Sequence, residues 1–569
     1  MKRKFLLLTA FVSLALTAMA APRTLQQMKT AALEVLPAQT KRAPGLSGEA
    51  QAAALKVLRQ ESQLTVLGYD GGSFAVVAND DLFPAVLGYS DAALGEEPAP
   101  GLLWWMQTMN ATLQRHLSTG EPLTTTLPSG DQQQSVGQLV SCHWAQSSPY
   151  NNNLPSTGSS WTRYVTGCVA TAMAQVMYYH KYPTSGTGSH SYTSTTNSGS
   201  SQTVSADFSA VTYDYDNMLD YYSSYAYTDR QADAVATLMF HCGVSVNMQY
   251  NTSGDGGSGA QLYDAAYALR QYFGYNQLLR FLWREFMPEE EWMDIIYTEL
   301  SDGCPLLAGG VTDAGYGHAF VFDGYDEEGR VHVNWGWGGY GDGFFEVAAL
   351  DGYTNQQMLI EVRKPDDERF RQQYQSLWCI SADLQMSITR ATLDVSSSGG
   401  IYNMDLDTFY GNLALMALNE ETGAQTILTQ YTDVDGVTLL NGYSMNSFFT
   451  ASLSSLAPGT YRLYLASKAD TETSWQPVRS HEDVCNSYQL VKEGRNYTLT
   501  ADPSGSWTTT GVQGVPLTEA PADAATTQVF NAQGQLVYSG ASANFSLDGV
   551  PASGMLIVKQ GSTAKKVVK

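Results

Sequence analysis

Cysteine is scarce in this sequence: there are 6 among 569 residues, and no two of them form a C-x-x-C pair. Small secreted domains that depend on disulfides carry a denser set, so no disulfide framework is predicted. The zinc motif H-E-x-x-H is also absent, and the adjacent residues His241 and Cys242 fit a core position better than a metal site. The sequence therefore predicts no metal centre.

Basic residues are also few. Lys and Arg number 31 against 55 Asp and Glu, which gives a net charge of −24 at pH 7. An acidic chain binds nucleic acid and anionic membranes poorly, so neither is a predicted partner. Past the first 20 residues no long uninterrupted apolar run occurs, and no membrane span is expected. The length of 569 residues predicts several domains.

Two glycine-rich stretches, 254–259 and 336–341, spell G-x-G-x-x-G. This motif binds dinucleotides when it lies in a doubly wound α/β pattern and an acidic residue ends the next strand. The sequence offers neither feature, so no cofactor is predicted. Loops beside a substrate cleft are the better interpretation of both stretches.

The first 20 residues predict a secretory signal peptide. Lys2, Arg3 and Lys4 precede an apolar run that begins at Phe5, and small residues at 18–20 provide a cleavage site. The run is too short for a transmembrane anchor. The mature protein is therefore expected to be exported and soluble.

The stretch around Cys168 predicts a buried helix with a cysteine in its first turn. Pro183 lies past the end of an apolar stripe at helical spacing, formed by Val169, Ala172, Met173 and Val176. The N-terminus of a helix favours negative charge, and the thiolate is the nucleophilic form of cysteine. A lone cysteine more often fills a core, so a catalytic role requires a partner.

His318 is the candidate partner, on a predicted strand over 317–325. A turn at 326–329 leads into a second alternating strand over 331–335, so a hairpin is predicted. If Tyr325 pairs with Gly329, Asn334 is the diagonal neighbour of His318 on the same face and can orient its ring. A register shifted by one residue places them on opposite faces, and the sequence leaves both registers open.

An oxyanion donor completes the predicted site. Gln146 lies 22 residues before Cys168, and its amide can join the Cys168 backbone N–H in holding a developing oxyanion. Cys, His and Asn follow one another in the order of a papain-like nucleophile, base and orienting residue. The sequence thus provides a candidate for each role.

These motifs resemble the streptopain family of secreted bacterial cysteine peptidases. The resemblance extends from about residue 138 to about 365 and rests on TGCVATA at 166–172, GHAFV at 317–321 and VNWGWGG at 333–339 followed by DGFF. It implies an α+β, papain-like peptidase domain over 132–365 that hydrolyses proteins and has an apolar preference two residues before the scissile bond.

The resemblance also assigns roles. It makes Cys168 the nucleophile, His318 the general base and acid, Gln146 the oxyanion donor and Asn334 the residue that orients His318. Two tryptophans, Trp335 and Trp337, are expected to shield the His–Asn pair from water. The sequence departs from the family pattern in an additional cysteine, Cys142.

Residues 21–131 resemble the inhibitory propeptide of the same family, which predicts a zymogen. Helices are expected over Leu25–Leu36 and Ser47–Arg59, and strands over Leu64–Tyr69, Ser73–Ala78 and Ala85–Tyr89. The polar stretch Leu123–Gln133 is the candidate processing loop, and Gly186–Ser205 is expected to be a surface loop. The alternative for 21–131 is a permanent N-terminal domain.

Two all-β units are predicted after residue 365. Alternating segments over 386–502 predict an immunoglobulin-like β-sandwich. Residues 511–569, with a hairpin around 529–538, resemble the C-terminal sorting domain of type IX secretion, which implies the secretion machinery as a partner and export across the outer membrane of a Gram-negative bacterium. The alternative is one more structural sandwich.

The predicted protein is a cysteine endopeptidase, secreted or held at the cell surface and made as a zymogen. Two alternatives remain: a non-catalytic surface adhesin that keeps the fold, and a different Cys–His acyl-transfer enzyme such as a transglutaminase. Transfer of the acyl group to an amine rather than to water would identify the latter.

Overall fold

The computed structural model describes most of residues 21–502 and the backbone of four strands beyond them. The predicted signal peptide lies outside the described residues. Within the described ranges, no helix has the length and apolar character needed to cross a bilayer. The residues before 503 that are not described are 1–20, 37–51, 96–97, 124, 156, 158–161, 224–225, 312–316, 349–355, 368, 370–377, 398–399, 432–436, 440–443, 446–447 and 481–483.

Helices and antiparallel strands are both present up to residue 360, as in an α+β fold. The helices are Leu25–Val35 (α1), Pro100–Thr119 (α2), Cys168–His180 (α3), Asp229–Ser245 (α4), Leu262–Gln271 (α5) and Glu289–Ser301 (α6). The strands are Lys56–Gln60 (β1), Leu64–Gly68 (β2), Phe74–Ala78 (β3), Val86–Ser90 (β4), Ser189–Thr195 (β5), Ser201–Asp207 (β6), Arg280–Trp283 (β7), Leu306–Val311 (β8), Gly317–Tyr325 (β9), Val331–Asn334 (β10), Gly343–Phe345 (β11) and Gln357–Ile360 (β12).

One antiparallel sheet joins the N-terminal region to the region that follows residue 132. Its order is β1-β2-β3-β4-β11-β10-β9-β8-β12-β7. The two regions meet where β4 pairs with β11, with Tyr89 opposite Phe344 and Gly88 opposite Phe345. The N-terminal strands therefore continue the sheet that carries His318.

The two faces of this sheet build two apolar cores. Ala319 and Val321 of β9 face a core that contains α3, α4 and α5. Phe320 and Phe322 face the opposite core, which contains α2, α6 and the side chains of β2 and β3. Side chains on all sides of α3 are buried, so this helix lies in the interior, as the apolar stripe beginning at Val169 predicts.

The N-terminal region confirms the predicted mixture of helices and strands, with two differences. The helix expected over Ser47–Arg59 is wrong at its C-terminal end, because Lys56–Gln60 forms the edge strand β1 against β2. Sheet pairing here overrides the helical preference of the local sequence. The second difference is α2, a helix of 20 residues that the sequence analysis did not predict.

The surface loop predicted over Gly186–Ser205 is also wrong. Strands β5 and β6 form a hairpin there, with Tyr192 opposite Val204. The hairpin is fixed by hydrogen bonds to the segment after α4: the Tyr192 hydroxyl donates to the Met248 carbonyl at 2.6 Å, and the Tyr250 N–H donates to the Ser194 hydroxyl at 2.9 Å. Short polar side chains alternate along it, which conceals its strand character in the sequence.

An all-β module follows and begins at Trp378, eight residues before the predicted start at 386. Its strands are Trp378–Ile380 (β13), Leu384–Thr389 (β14), Thr392–Ser397 (β15), Ile401–Asn403 (β16), Phe409–Asn419 (β17), Gln425–Gln430 (β18), Val437–Leu439 (β19), Ser444–Met445 (β20), Phe448–Ser452 (β21), Gly459–Ala469 (β22), Gln476–Pro477 (β23), Arg479–Ser480 (β24), Ser487–Glu493 (β25) and Asn496–Ala501 (β26). They form three sheets that share one apolar core, and the strand orders are β20-β16-β13-β24, β14-β15-β21 and β18-β17-β22-β25-β26.

The C-terminal residues include the predicted hairpin. Strands Thr526–Asn531 (β27) and Leu536–Ala541 (β28) pair with Val529 opposite Tyr538. Strands Met555–Gln560 (β29) and Thr563–Val568 (β30) complete a four-stranded sheet of order β28-β27-β29-β30.

The β-module is docked on the region that follows residue 132. Arg479 forms two hydrogen bonds with Glu291 of α6, at 2.7 and 2.8 Å. Arg280 of β7 pairs with Asp405 at 2.9 Å. The neighbouring Leu406 is 5% exposed and lies in the core that contains α5. The side chain of Leu406 thus belongs to the core of another region of the chain.

We expect Leu406→Ala to destabilise the region that follows residue 132. Deletion of a buried leucine side chain costs about 2–5 kcal/mol. Urea unfolding of the Cys168→Ala chain, which cannot cleave itself, measures this loss in the free energy of unfolding. Leu127→Ala is the matched control, since Leu127 is 55% exposed. Equal midpoints for the two variants would contradict the docking.

Candidate active site

Cys168 opens α3, as predicted. The Thr166 hydroxyl contacts the Thr171 hydroxyl at 3.0 Å, and Thr171 also bonds to the Gly167 carbonyl at 3.0 Å. These buried bonds tie the residues before the helix to its first turn. The thiol is half-buried at the end of an apolar helix, where backbone N–H groups are free to meet a negative charge.

The Cys168 thiol is held in its neutral form in this arrangement. Burial raises its pKa above the usual value, and backbone hydrogen bonds from Ala319, Val169 and Cys168 itself lower it only in part. Ala319 follows His318 in β9, so the sulfur lies against the backbone beside the predicted base. The structure therefore brings the start of α3 and the strand β9 together.

His318 is half-buried and hydrogen-bonded to backbone. Its Nε2 lies 3.1 Å from the Trp335 carbonyl oxygen, which can only accept, so the proton is on Nε2 and Nδ1 is the basic nitrogen. Burial lowers the pKa of His318 to about 4, against a smaller upward effect of the Trp335 carbonyl. At neutral pH the ring is uncharged, and no thiolate–imidazolium pair forms in this state.

The start of α2 covers His318. A Cβ atom built on Gly101 would lie 2.5 Å from Trp335 Cε3 and 2.6 Å from His318 Cδ2. Only a residue without a side chain fits at such a separation. Further along the helix, the Trp105 indole donates to the Glu346 carbonyl at 2.8 Å. The N-terminal region thus fixes the environment of the predicted base.

Tyr325 pairs with Val331 rather than with Gly329, and of the two registers that the sequence left open the hairpin has the one that puts Asn334 and His318 on opposite faces of the sheet. Asn334 pairs with Val321, after an irregularity between His332 and Val333. His318 is three residues from Val321, so its side chain leaves the other face of the sheet. The Asn334 amide donates to the Cys142 carbonyl at 2.8 Å, and its oxygen accepts from the Gly336 N–H at 3.1 Å.

Gln146 lies beside the approach to Cys168. Its backbone carbonyl accepts from the Thr166 N–H at 3.1 Å, two residues before the cysteine. Its segment, 142–146, is held to α3 because the Trp144 N–H donates to the Gln175 side chain at 3.3 Å. This position is compatible with the predicted oxyanion role.

The two predicted shielding tryptophans lie in different environments. Trp335 is 1% exposed and packs edge-on to Phe320, with ring centroids 5.1 Å apart. Trp337 is 37% exposed on the glycine-rich loop. Trp335 and His318 both lie against Gly101, and the shielding role of the two tryptophans stays a prediction.

The sequence analysis missed two residues of the site, His143 and Asp342. Asp342 accepts from the Trp335 N–H at 2.9 Å and lies 3.3 Å from His143 Nδ1. Both flank recognised motifs, since His143 is three residues before Gln146 and Asp342 ends the glycine-rich stretch. Only the folded structure shows that these two residues pair.

In the described part of the chain no cluster of three or more His, Cys, Asp or Glu is suited to a metal ion, and all six cysteines are free thiols.

Comparison with known proteins identifies relatives of this site. A family model, the peptidase C10 family, matches residues 144–345, a range that includes Gln146, Cys168, His318 and Asn334. Streptopain of Streptococcus pyogenes is 33% identical over 306 residues, which cover 51% of this chain and 75% of streptopain.

Two further relatives extend the comparison. The thiol protease/hemagglutinin PrtT of Porphyromonas gingivalis is 32% identical over 321 residues, but the chain spans only 36% of the length of that protein. Among solved structures, a cysteine-to-alanine mutant fragment of prointerpain A from Prevotella intermedia is 42% identical. It aligns over 98% of its own length and 54% of this chain, with a TM-score of 0.50.

We expect the alkylation of Cys168 to depend strongly on whether 21–131 is attached. In the uncleaved chain the raised pKa leaves little thiolate below pH 9, so iodoacetamide should label Cys168 slowly at pH 7 and faster only in alkaline solution. Once the N-terminal region is removed, labelling at pH 6–7 should rise sharply. Mass spectrometry of the tryptic peptides measures both rates, and Cys485 serves as the internal reference. Equal labelling of Cys168 in the two forms would refute the neutral pair.

Proposed function

Because the chain belongs to the peptidase C10 family of cysteine peptidases, we propose that it is an endopeptidase that hydrolyses peptide bonds in proteins. The observation that carries the proposal is the meeting of Cys168, at the N-terminus of a buried helix, with the strand of His318 and the segment of Gln146. These three neighbouring segments carry the proposed nucleophile, base and oxyanion donor.

The proposed reaction proceeds in two steps. His318, once it faces Cys168, takes the thiol proton, and the thiolate attacks the peptide carbonyl carbon. The Cys168 N–H and the Gln146 amide stabilise the oxyanion, and His318 then protonates the amine that leaves. Water, deprotonated by His318, hydrolyses the thioester and restores the thiol. Asn334 contributes by fixing the 142–146 segment through its bond to the Cys142 carbonyl.

We also propose that residues 21–131 are an inhibitory propeptide and that the protein is a zymogen. Three observations support this: the propeptide strands extend the catalytic sheet at β11, Gly101 lies on the His318 ring, and the His318 Nε2 is bonded to the Trp335 carbonyl. Release of α2 would uncover His318, lessen its burial and favour the imidazolium that activates a thiolate.

The polar linker is a suitable place for processing. Residues 125–131 form a loop with several exposed positions, among them Leu127. The residues just beyond are anchored, since Gln132 donates to the Asp294 side chain at 2.8 Å and Gln133 donates to the Ser301 carbonyl at 2.7 Å. A cut in the exposed part would separate the propeptide and leave the anchored residues in place.

Export stays a proposal based on sequence. The N-terminal 20 residues resemble a signal peptide, and 511–569 resembles a type IX sorting domain. An antiparallel sheet of four strands within 526–568 is compatible with a compact C-terminal unit. The immunoglobulin-like class of the 386–502 module is likewise proposed, on the basis of its antiparallel strands.

We expect Cys168→Ala to abolish cleavage of casein by the processed enzyme, because no other group can form the acyl-enzyme. Cys485→Ala, at a half-buried cysteine of the β-module, should retain activity and serves as the matched control. Release of dye-labelled peptides measures both. If the wild type stays inert after removal of 21–131, the non-catalytic adhesin becomes the leading alternative; if an added amine takes the acyl group in preference to water, the enzyme is a transferase.

We expect Gly101→Ala to shorten the latent phase. The added methyl group would overlap Trp335 and His318, so α2 must move away and inhibition should weaken. A time course of self-processing on a gel, with casein cleavage in parallel, should show earlier conversion than for the wild type. Gln107→Ala, at an exposed position of the same helix, is the control. Unchanged conversion in Gly101→Ala would argue against the contact as the inhibitory element.

A further inference from the structure

The loop over 335–342, called here the glycine loop, has few side chains to fix it. Four of its glycines, at 336, 338, 339 and 341, have φ between 71° and 82°, the left-handed region that other residues rarely adopt. Because glycine has more conformational freedom than other residues, ordering this loop costs more backbone entropy. The position of the loop therefore depends on the contacts at its ends.

Asp342 closes the glycine loop. Its buried carboxylate accepts from the Trp335 N–H at 2.9 Å, so the first and last residues of the loop are joined. The second carboxylate oxygen lies 3.3 Å from His143 Nδ1. The His143 ring is also close to the loop backbone, since a Cβ on Gly339 would lie 3.1 Å from Nδ1.

His143 and Asp342 connect the two parts of the proposed catalytic site, the surroundings of His318 and the segment of Gln146. Trp335 carries the carbonyl to which His318 is bonded, at 3.1 Å. His143 belongs to the segment that ends at Gln146, and this segment meets the loop again where the Gly338 N–H donates to the Trp144 carbonyl at 2.9 Å. A displacement of the loop would therefore disturb the surroundings of both His318 and Gln146.

We propose that His143 and Asp342 are positioning residues: their ion pair holds the glycine loop against the 142–146 segment and so places His318 and Gln146 for catalysis. The proposal rests on the proposed peptidase function. Both residues lie after the processing loop, so the pair remains when the propeptide is removed.

The surroundings of His143 fix the direction of its pH dependence. The hydrogen bond that His143 donates to the Asp342 carboxylate is the main cause that raises the pKa of His143 above its ordinary value; burial and His332 of β10 oppose it, and Asp323 of β9 supports it. The ion pair is therefore fully present below the ordinary pKa of histidine. Its contribution is lost as the pH rises through the raised pKa of His143.

The test compares kcat and KM of processed enzymes on one peptide substrate. We expect His143→Ala to lower kcat about tenfold or more with a smaller change in KM, because positioning rather than binding is lost. Asp342→Asn keeps an acceptor for the Trp335 N–H but loses the charge, so it should lower kcat as well. The double variant should be no worse than the poorer single one.

A pH profile separates positioning from general stability. His143→Gln retains an N–H that can reach Asp342 and does not titrate, so it should recover part of the activity and move the alkaline limb of kcat to higher pH. His190→Gln is the matched control, because His190 bonds to Asn247 at 2.8 Å in the β5–β6 hairpin instead. Activity of His143→Ala within twofold of wild type, or additive single effects, would overturn the proposal.

A second measurement does not depend on activity. Hydrogen exchange of the peptide that spans the glycine loop, followed by mass spectrometry in the Cys168→Ala chain, should be faster in His143→Ala than in His190→Gln. Thermal unfolding checks that the variants fold. If the wild type cleaves no substrate, the proposed peptidase function fails, and the exchange rates alone decide whether His143 positions the loop; equal rates would reject that role.

Discussion

The backbone pairing of β4 with β11 is the interaction on which the latent arrangement depends. It makes one sheet from two regions of the chain, so the apolar side chains of β2 and β3 continue the core that begins at Phe320 and Phe322. Helix α2 then covers this shared face and brings Gly101 onto His318. Because the sheet and the core are continuous, the N-terminal region is fixed in the position that holds Gly101 against the base.

The chemistry of the site follows from that burial. Desolvation disfavours charge, so it raises the pKa of the Cys168 thiol and lowers that of the His318 imidazole, and both groups are neutral in this arrangement. An active pair requires the opposite charges. The same two residues therefore give a latent or a reactive site according to what covers them, which is the physical basis of the proposed zymogen.

Sequence patterns predicted the local elements of the site and missed its long-range contacts. The helix at Cys168, the strand at His318 and the position of Gln146 were all found from periodicity and motifs. Asn334 lies beside His318 in only one of the two registers that the sequence left open, and an irregularity after His332 produces the other one. Helix α2 was overlooked although Pro100 opens it and Gly120 closes it.

The sequence by itself determined the family, the candidate nucleophile and base, and the mixed helix and strand content of the chain, because these depend on residues close together or on spacing within one element. Only the tertiary structure decided that Gly101 lies on His318, that Asp342 pairs with His143 and that Leu406 enters the peptidase core. The Tyr267 hydroxyl, which donates to the Leu406 carbonyl, is 139 residues from Leu406, and the other two contacts each join residues about 200 apart. No local pattern records such pairs, since they form only when the sheet and its two cores bring distant segments together.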